Sequence, residues 1–176
     1  MQKNISRPDM EEKPKIIWHY THIEALDSIL SDGLLKVSQA DKKMVKTATP
    51  SLWFSSNQVW EPTATKHVLD KVGDRFALTV EQQYKMFGLA RIGVNYNESY
   101  YTWAKYRHYS GLTNAMLDGM EEVGIEMGAT PKDWFCSLKN ITEEKWVNVQ
   151  LWDGTKWVEV EEEWEEELPV ELKKAA

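Results

Sequence analysis

The sequence predicts one α+β domain whose mixed or split, antiparallel-rich sheet is flanked by helices, and three observations carry that prediction. The elements read off the 176 residues run strand, helix, strand, helix, two strands, one or two helices, then two or three strands, which is no regular βαβ alternation. The run KWVNVQLWDGTKWVEV (145–160) sets Asp153-Gly154 between two alternating stretches, a two-residue hairpin signal. A chain of this length builds one sizeable core rather than two. The expected layout is a flexible arm over 1–14, the domain over 15–160 and an acidic tail over 161–176.

Order is expected from Lys15, after an arm broken by Pro8 and Pro14. Ile16-Ile17-Trp18 is β-prone, and Thr21 with Glu24 forms a capping box, so a helix is predicted from Thr21 to its stop at Gly33, with Ile23, Leu26 and Ile29/Leu30 on one face. His19 and Tyr20 then end a strand where a helix N-terminus offers free N–H groups, a place suited to phosphate or carboxylate; it equally suits an ordinary half-buried histidine. The polar, aperiodic stretch 37–50 reads as a long loop placed as a lid. SLWFS (51–55) reads as a second strand that ends in Ser55-Ser56-Asn57. Pro62 at a first helical position and Gly73 at a stop predict a short helix with Glu61 at its N-cap.

RFALTV (75–80) and LARIGV (89–94) read as strands, with a helical turn or loop between them. Residues 95–112 gather Tyr96, Tyr100, Tyr101, Tyr106 and Tyr109 with Trp103, either a short helix packing aromatic bodies on the sheet or a stacking platform. Met116, Leu117, Met120, Val123 and Met127 recur at helical spacing and read as core filling. DWFCSL (133–138) is a further strand, and in the last hairpin Gln150 is expected opposite Trp157 and Val149 opposite Val158.

Composition excludes several function classes. No apolar run approaches the roughly 20 residues of a membrane span, and the first fifteen residues fit neither a secretory signal nor a transit peptide, so a cytoplasmic protein is expected. Cys136 is the one cysteine, which leaves no internal disulfide and no cysteine-based zinc cluster. The net charge of -7 is concentrated at Glu159, Glu161, Glu162, Glu163, Glu165, Glu166, Glu167 and Glu171 against Lys173 and Lys174; the nearly neutral body presents no broad face for duplex nucleic acid. Nine tryptophans serve a core or line a cleft. P-loop, G-x-G-x-x-G, H-E-x-x-H and G-x-S-x-G motifs are absent, and His19 and His22 lack further ligands at metal spacing, so no metal is expected.

What remains is polar chemistry at two strand ends, His19-Tyr20-Thr21 and Trp53-Phe54-Ser55-Ser56-Asn57, with Glu61 close behind. If the two strands are neighbours, these groups converge. An I-x-H-Y-T strand followed by I-x-x-I-L-x-x-G-L resembles the opening of ADP-ribosyltransferase-like domains, which include DNA-modifying toxins and tRNA 2′-phosphotransferases. The string L-W-F-S-S-N-x-x-W-E-P-T-A, with the later R-I-G-V and W-x-x-V-x-L-W-x-G-x-x-W, also resembles a group of small bacterial proteins without an assigned activity.

The family resemblance implies NAD as substrate. It implies that His19 binds ribose hydroxyls, that Tyr20 packs on the nicotinamide beside Thr21 and Trp53, and that Ser55, Ser56 and Asn57 bind the amide or phosphates. Arg91 is a phosphate partner or else a surface salt-bridge residue. On the late strand, where the family carries a glutamate, stands Gln150, an amide assigned to hydrogen-bonding the cofactor, so the catalytic carboxylate is sought at Glu61, Glu143 or Glu144; Glu61 follows the serines most closely and is also an ordinary helix N-terminal residue. The alternative is a non-catalytic module that uses a tryptophan-lined cleft for a nucleotide, peptide or protein partner.

Overall fold

Antiparallel pairing organises the chain. The computed structural model describes residues 14–160, apart from the side chains of Asp41 and Met44; the arm up to residue 13 and the acidic tail from 161 lie outside the described residues. In chain order the elements are β1 (Ile16–Thr21), α1 (Ile23–Asp32), β2 (Leu34–Leu35), α2 (Ala40–Met44), β3 (Leu52–Ser55), a 3-10 turn (Pro62–Ala64), β4 (His67–Leu69), β5 (Arg75–Ala77), α3 (Val80–Phe87), β6 (Ala90–Asn95), β7 (Tyr101–Thr102), α4 (Trp103–Tyr109), α5 (Asn114–Glu126), β8 (Trp134–Ser137), β9 (Ile141–Thr142), β10 (Trp146–Trp152) and β11 (Trp157–Glu159). The main sheet runs β11-β10-β6-β1-β3-β8-β7, so β1 is central; β2-β9 and β4-β5 are separate two-stranded ribbons. Every recorded pair of strands is antiparallel, and the fold is α+β as the sequence predicts.

Period-two alternation divides the buried residues between the two faces of this sheet. Ile17, Phe54, Ile92, Val94 and Phe135 face one core together with Leu26 of α1 and Leu35. Trp134 and Cys136 of β8 face another, closed by Trp103 and Tyr106 of α4 and Leu117 of α5. The aromatic segment 95–112 thus packs Trp103 and Tyr106 inward as a helix.

Several expectations are corrected. Thr21 does not cap α1: it stays in β1 opposite Ala90, and the cap is His22, whose ring Nδ1 accepts from Ala25 N at 3.2 Å. The helix expected after Pro62 stops at Ala64, because Val68 pairs with Phe76 and the Asp70 carboxylate accepts from Val72 N and Asp74 N, turning the chain into a hairpin. RFALTV accordingly contributes only β5, outside the main sheet. The last hairpin pairs Gln150 with Glu159 and Leu151 with Val158, since the Asp153 carboxylate accepts from Thr155 N, Thr155 Oγ1 and Lys156 N and thereby holds a four-residue loop.

The stretch 37–50 is not a lid. It contains α2, and the Thr47 and Thr49 hydroxyls donate to the carbonyls of Gly111 and Tyr109, strapping it to the end of α4. Gly111 is forced at this seam: its φ is +70°, and a Cβ there would stand 1.8 Å from the Thr47 carbonyl oxygen. Gly111→Ala is expected to lower stability by about 3 kcal/mol through overpacking and backbone strain, measured by chemical denaturation.

Candidate functional site

β1 and β3 meet at one recorded rung, Trp18 opposite Ser55, and their ends part beyond it. His19 spans the parting, with Nδ1 2.9 Å from the Trp53 carbonyl oxygen. A carbonyl only accepts, so Nδ1 carries the hydrogen, and in the neutral ring Nε2 is left as a bare acceptor. Burial pushes the His19 pKa below 6.5; the Trp53 hydrogen bond opposes this and the charge of Lys66 adds to it. The first two strands are therefore neighbours, as the sequence argument required.

The parting opens into a cavity of about 900 Å3. Its floor is buried: Trp18, Phe54, Ser55, Glu61, Trp103 and Trp134. His19, Tyr20 and Trp53 form one wall, and α5 forms the other with Gly119, Met120, Val123, Gly124 and Met127. Thr63, Arg75, Met120 and Val123 line the cavity and are also exposed, which places its mouth between α5 and the segment after Glu61.

Glu61 is 6 % exposed, and among the described residues no cation pairs with it. Donors hold it instead. Thr63 N (3.2 Å), Thr63 Oγ1 (2.7 Å) and Trp134 Nε1 (3.1 Å) donate to Oε1, while Ser55 Oγ donates to Oε2 at 2.7 Å. The Ser55 hydroxyl is itself set by accepting from Asn57 N at 3.1 Å. Three donors fill Oε1, and Oε2 keeps acceptor capacity for something in the cavity. The charge that a buried carboxylate brings is thus spread over dipoles fixed before any ligand arrives.

Tyr20 sits beside this anion and next to a buried cation. Its hydroxyl donates to the Asn57 carbonyl oxygen at 2.7 Å and accepts from Arg91 Nη1 at 3.4 Å. Burial pushes its pKa up to about 12, against the pull of Arg91, so it stays a neutral phenol. Arg91 itself is not on the cavity wall. It is 5 % exposed, donates to Gln150 Oε1 at 2.8 Å and the Gln58 carbonyl at 2.7 Å, and lies 3.9 Å from the Trp18 ring centroid and 4.4 Å from that of Trp157.

The cavity therefore brings together His19, Tyr20, Trp53, Ser55 and Glu61 of the residues singled out in the sequence, and leaves six more aside besides Arg91. Thr21 pairs with Ala90 in the β1–β6 ladder and does not line the cavity. Ser56 Oγ donates to Asp133 Oδ1, and Asn57 Oδ1 caps Val59 N and Trp60 N, so both build the turn that carries Glu61. Gln150 is bound to Arg91. Glu143 and Glu144 are exposed in a 3-10 turn and do not line the cavity.

The α5 wall, Arg75, Trp103 and Trp134 were missed. The α5 methionines read as core filling, yet Met120 and Met127 line the cavity; Gly119 and Gly124 inside a helix were the available signal, since mid-helix glycine is costly. Among the described residues no group of His, Cys, Asp or Glu is arranged to hold a metal ion, and no helix is long and apolar enough to cross a membrane.

Comparison of the chain with family models, with curated proteins and with solved structures finds no match in any of the three.

Two outcomes follow from this geometry. His19 is neutral in the fold, so below pH 6.5 the unfolded chain takes up a proton that the folded chain refuses, and stability falls as pH drops from there toward the folded pKa. Denaturation at a series of pH values is expected to show this loss in the native sequence and a flatter profile in His19→Gln. A Cβ at Gly124 would stand 2.4 Å from Trp134 Cη2; Gly124→Ala is expected to cost about 1–3 kcal/mol by the same measurement, although alanine is the better helix former.

Proposed function

We propose that the cavity takes NAD+ as a substrate and that the chain is an ADP-ribosyltransferase-like protein, passing ADP-ribose to a macromolecular acceptor or to water. The observation that carries this reading is a carboxylate without a cation and a histidine, its Nδ1 tied to the Trp53 carbonyl, that line one aromatic-walled cavity together. The bond between ribose C1′ and the nicotinamide nitrogen breaks with its electron pair leaving on nicotinamide. Positive charge develops on C1′ and the ring oxygen; the acceptor hydroxyl, amine or water then bonds to C1′ and gives up its proton to solvent.

Glu61 is a fixed negative charge on the cavity floor and counters that developing cation, and its donors need no rearrangement during the step. His19 accepts from a ribose hydroxyl through Nε2, and Tyr20 with Trp53 offers ring surface for the nicotinamide. A volume of about 900 Å3 is in the range of small-molecule and cofactor sites. We place the protein in the cytoplasm, a reading supported by the single cysteine, whose thiol burial pushes up to about 12.

A second reading, a non-catalytic module binding a nucleotide or protein in the same tryptophan-lined cleft, is favoured by one observation: the late strand offers the amide of Gln150, already bound to Arg91, and no carboxylate. Incubation with NAD+ separates the two. Nicotinamide release that Glu61→Gln lowers by about 100-fold or more, and that His19→Ala also impairs, is expected for the enzyme. A rise in melting temperature with NAD+ but no release selects the binder. Neither release nor stabilisation rejects NAD+ in both forms.

A further inference from the structure

The ligand proposed above carries a diphosphate, and the interior of the site is hostile to it. The floor presents the Glu61 carboxylate, which repels an anion, and the wall presents His19, whose Nδ1 hydrogen is already given to the Trp53 carbonyl and is not free to bond one. The buried guanidinium of Arg91 is off the wall, its donors aimed at Gln150, the Gln58 carbonyl and Tyr20 and its faces covered by two indoles. Of the residues that line the cavity, one is cationic: Arg75. It lies at the mouth, it is exposed, and among the described residues no carboxylate pairs with it.

Neither Asp74, next to Arg75 in the chain, nor Asp70 across the turn forms an ion pair with it. The Asp70 carboxylate is occupied by the amides of Val72 and Asp74 in the hairpin turn. A second cation, Lys66, stands at the foot of the same hairpin, where its backbone N–H donates to Gln83 Oε1 at 2.7 Å, and its charge is felt by His19. Charge alone therefore orients a ligand in this cavity, ring and ribose inward toward Glu61, anionic group outward toward the hairpin.

Resting on the NAD+ reading, we propose that Arg75, with Lys66 behind it, is the phosphate-binding residue of the site, carried on the β4–β5 hairpin as an arm at the cavity mouth. The hairpin suits the task because residues 69–77 are all exposed and the arm is anchored at its base by Lys66 and the buried Leu78. Register places Leu69 directly opposite Arg75, so the two share one face of the hairpin. Leu69 is 69 % exposed, and across the mouth Val123 is 56 % and Met120 38 % exposed.

The test compares NAD+ with nicotinamide riboside, which lacks the diphosphate, by isothermal titration against the native chain, Arg75→Ala and Arg75→Lys. NAD+ is expected to bind the native chain at least about tenfold more tightly than the riboside; Arg75→Ala removes that advantage, leaves the riboside unchanged and makes NAD+ binding less salt-dependent, and Arg75→Lys restores part of it. NAD+ is also expected to protect the peptide bonds after Lys71 and Arg75 from trypsin. An unchanged NAD+ affinity in Arg75→Ala, or equal loss for both ligands, overturns the assignment while NAD+ binding itself stands. If neither ligand binds the native chain, the NAD+ reading falls and this inference with it. Arg75 is exposed, and an unaltered melting temperature shows that the variant has folded.

Discussion

A carboxylate buried without a cation is the constraint that shapes this molecule's site. Glu61 is reached by donors from three places in the chain, Ser55 at the end of β3, Thr63 in the 3-10 turn and Trp134 at the start of β8. Burying a charge costs several kcal/mol unless its hydrogen bonds are made, so the folded state keeps Glu61 only where these segments stand in register. β3 and β8 are neighbours in the sheet, and Ser55 lies directly opposite Trp134. One rung of backbone pairing thus sets two of the donors, and the turn that Pro62 starts supplies the third.

Arg91 is the mirror image of that arrangement. It is a buried cation satisfied by neutral acceptors and by the faces of Trp18 and Trp157. The two charges are not paired with each other; Tyr20 lies between them, and its phenol is raised by Glu61 and lowered by Arg91. A direct ion pair would neutralise Glu61 and leave the cavity floor without a charge to offer. Keeping the charges apart, each held by dipoles, preserves a negative floor beside the bare nitrogen of His19.

Much of the frame was legible in local pattern. The strand containing His19, the left-handed stop at Gly33, the helical spacing of Met116, Leu117, Met120 and Val123 and the last hairpin all rest on local signals, and all are present. The convergence of His19 with Ser55 and Glu61 was readable only as a condition on strand pairing. The hairpin at 67–77 was misread because Pro62 and Gly73 are equally good punctuation for a helix, and the cross-strand pair Val68 and Phe76 is invisible to helical spacing. Arg91 and Gln150 were given to a ligand because sequence order cannot tell that they lie opposite each other in the β6–β10 ladder and bond one another. The α5 wall escaped for the opposite reason: methionines at helical spacing look alike whether they meet a core or a cavity.

The two glycines of α5 separate packing from space. At Gly124 a Cβ would stand 2.4 Å from Trp134 Cη2 and 3.3 Å from Thr63 Cγ2, so it would press on two of the three residues that donate to Glu61. The absence of a side chain there lets the indole lie against the helix and its Nε1 reach the carboxylate. At Gly119 a Cβ would meet nothing within 4 Å, and the residue lines the cavity. Close packing does not explain that glycine, whose backbone freedom costs about 1 kcal/mol in a helix interior. The helix gives up stability at one position to bring a donor to Glu61 and at the other to keep the cavity wide in front of it.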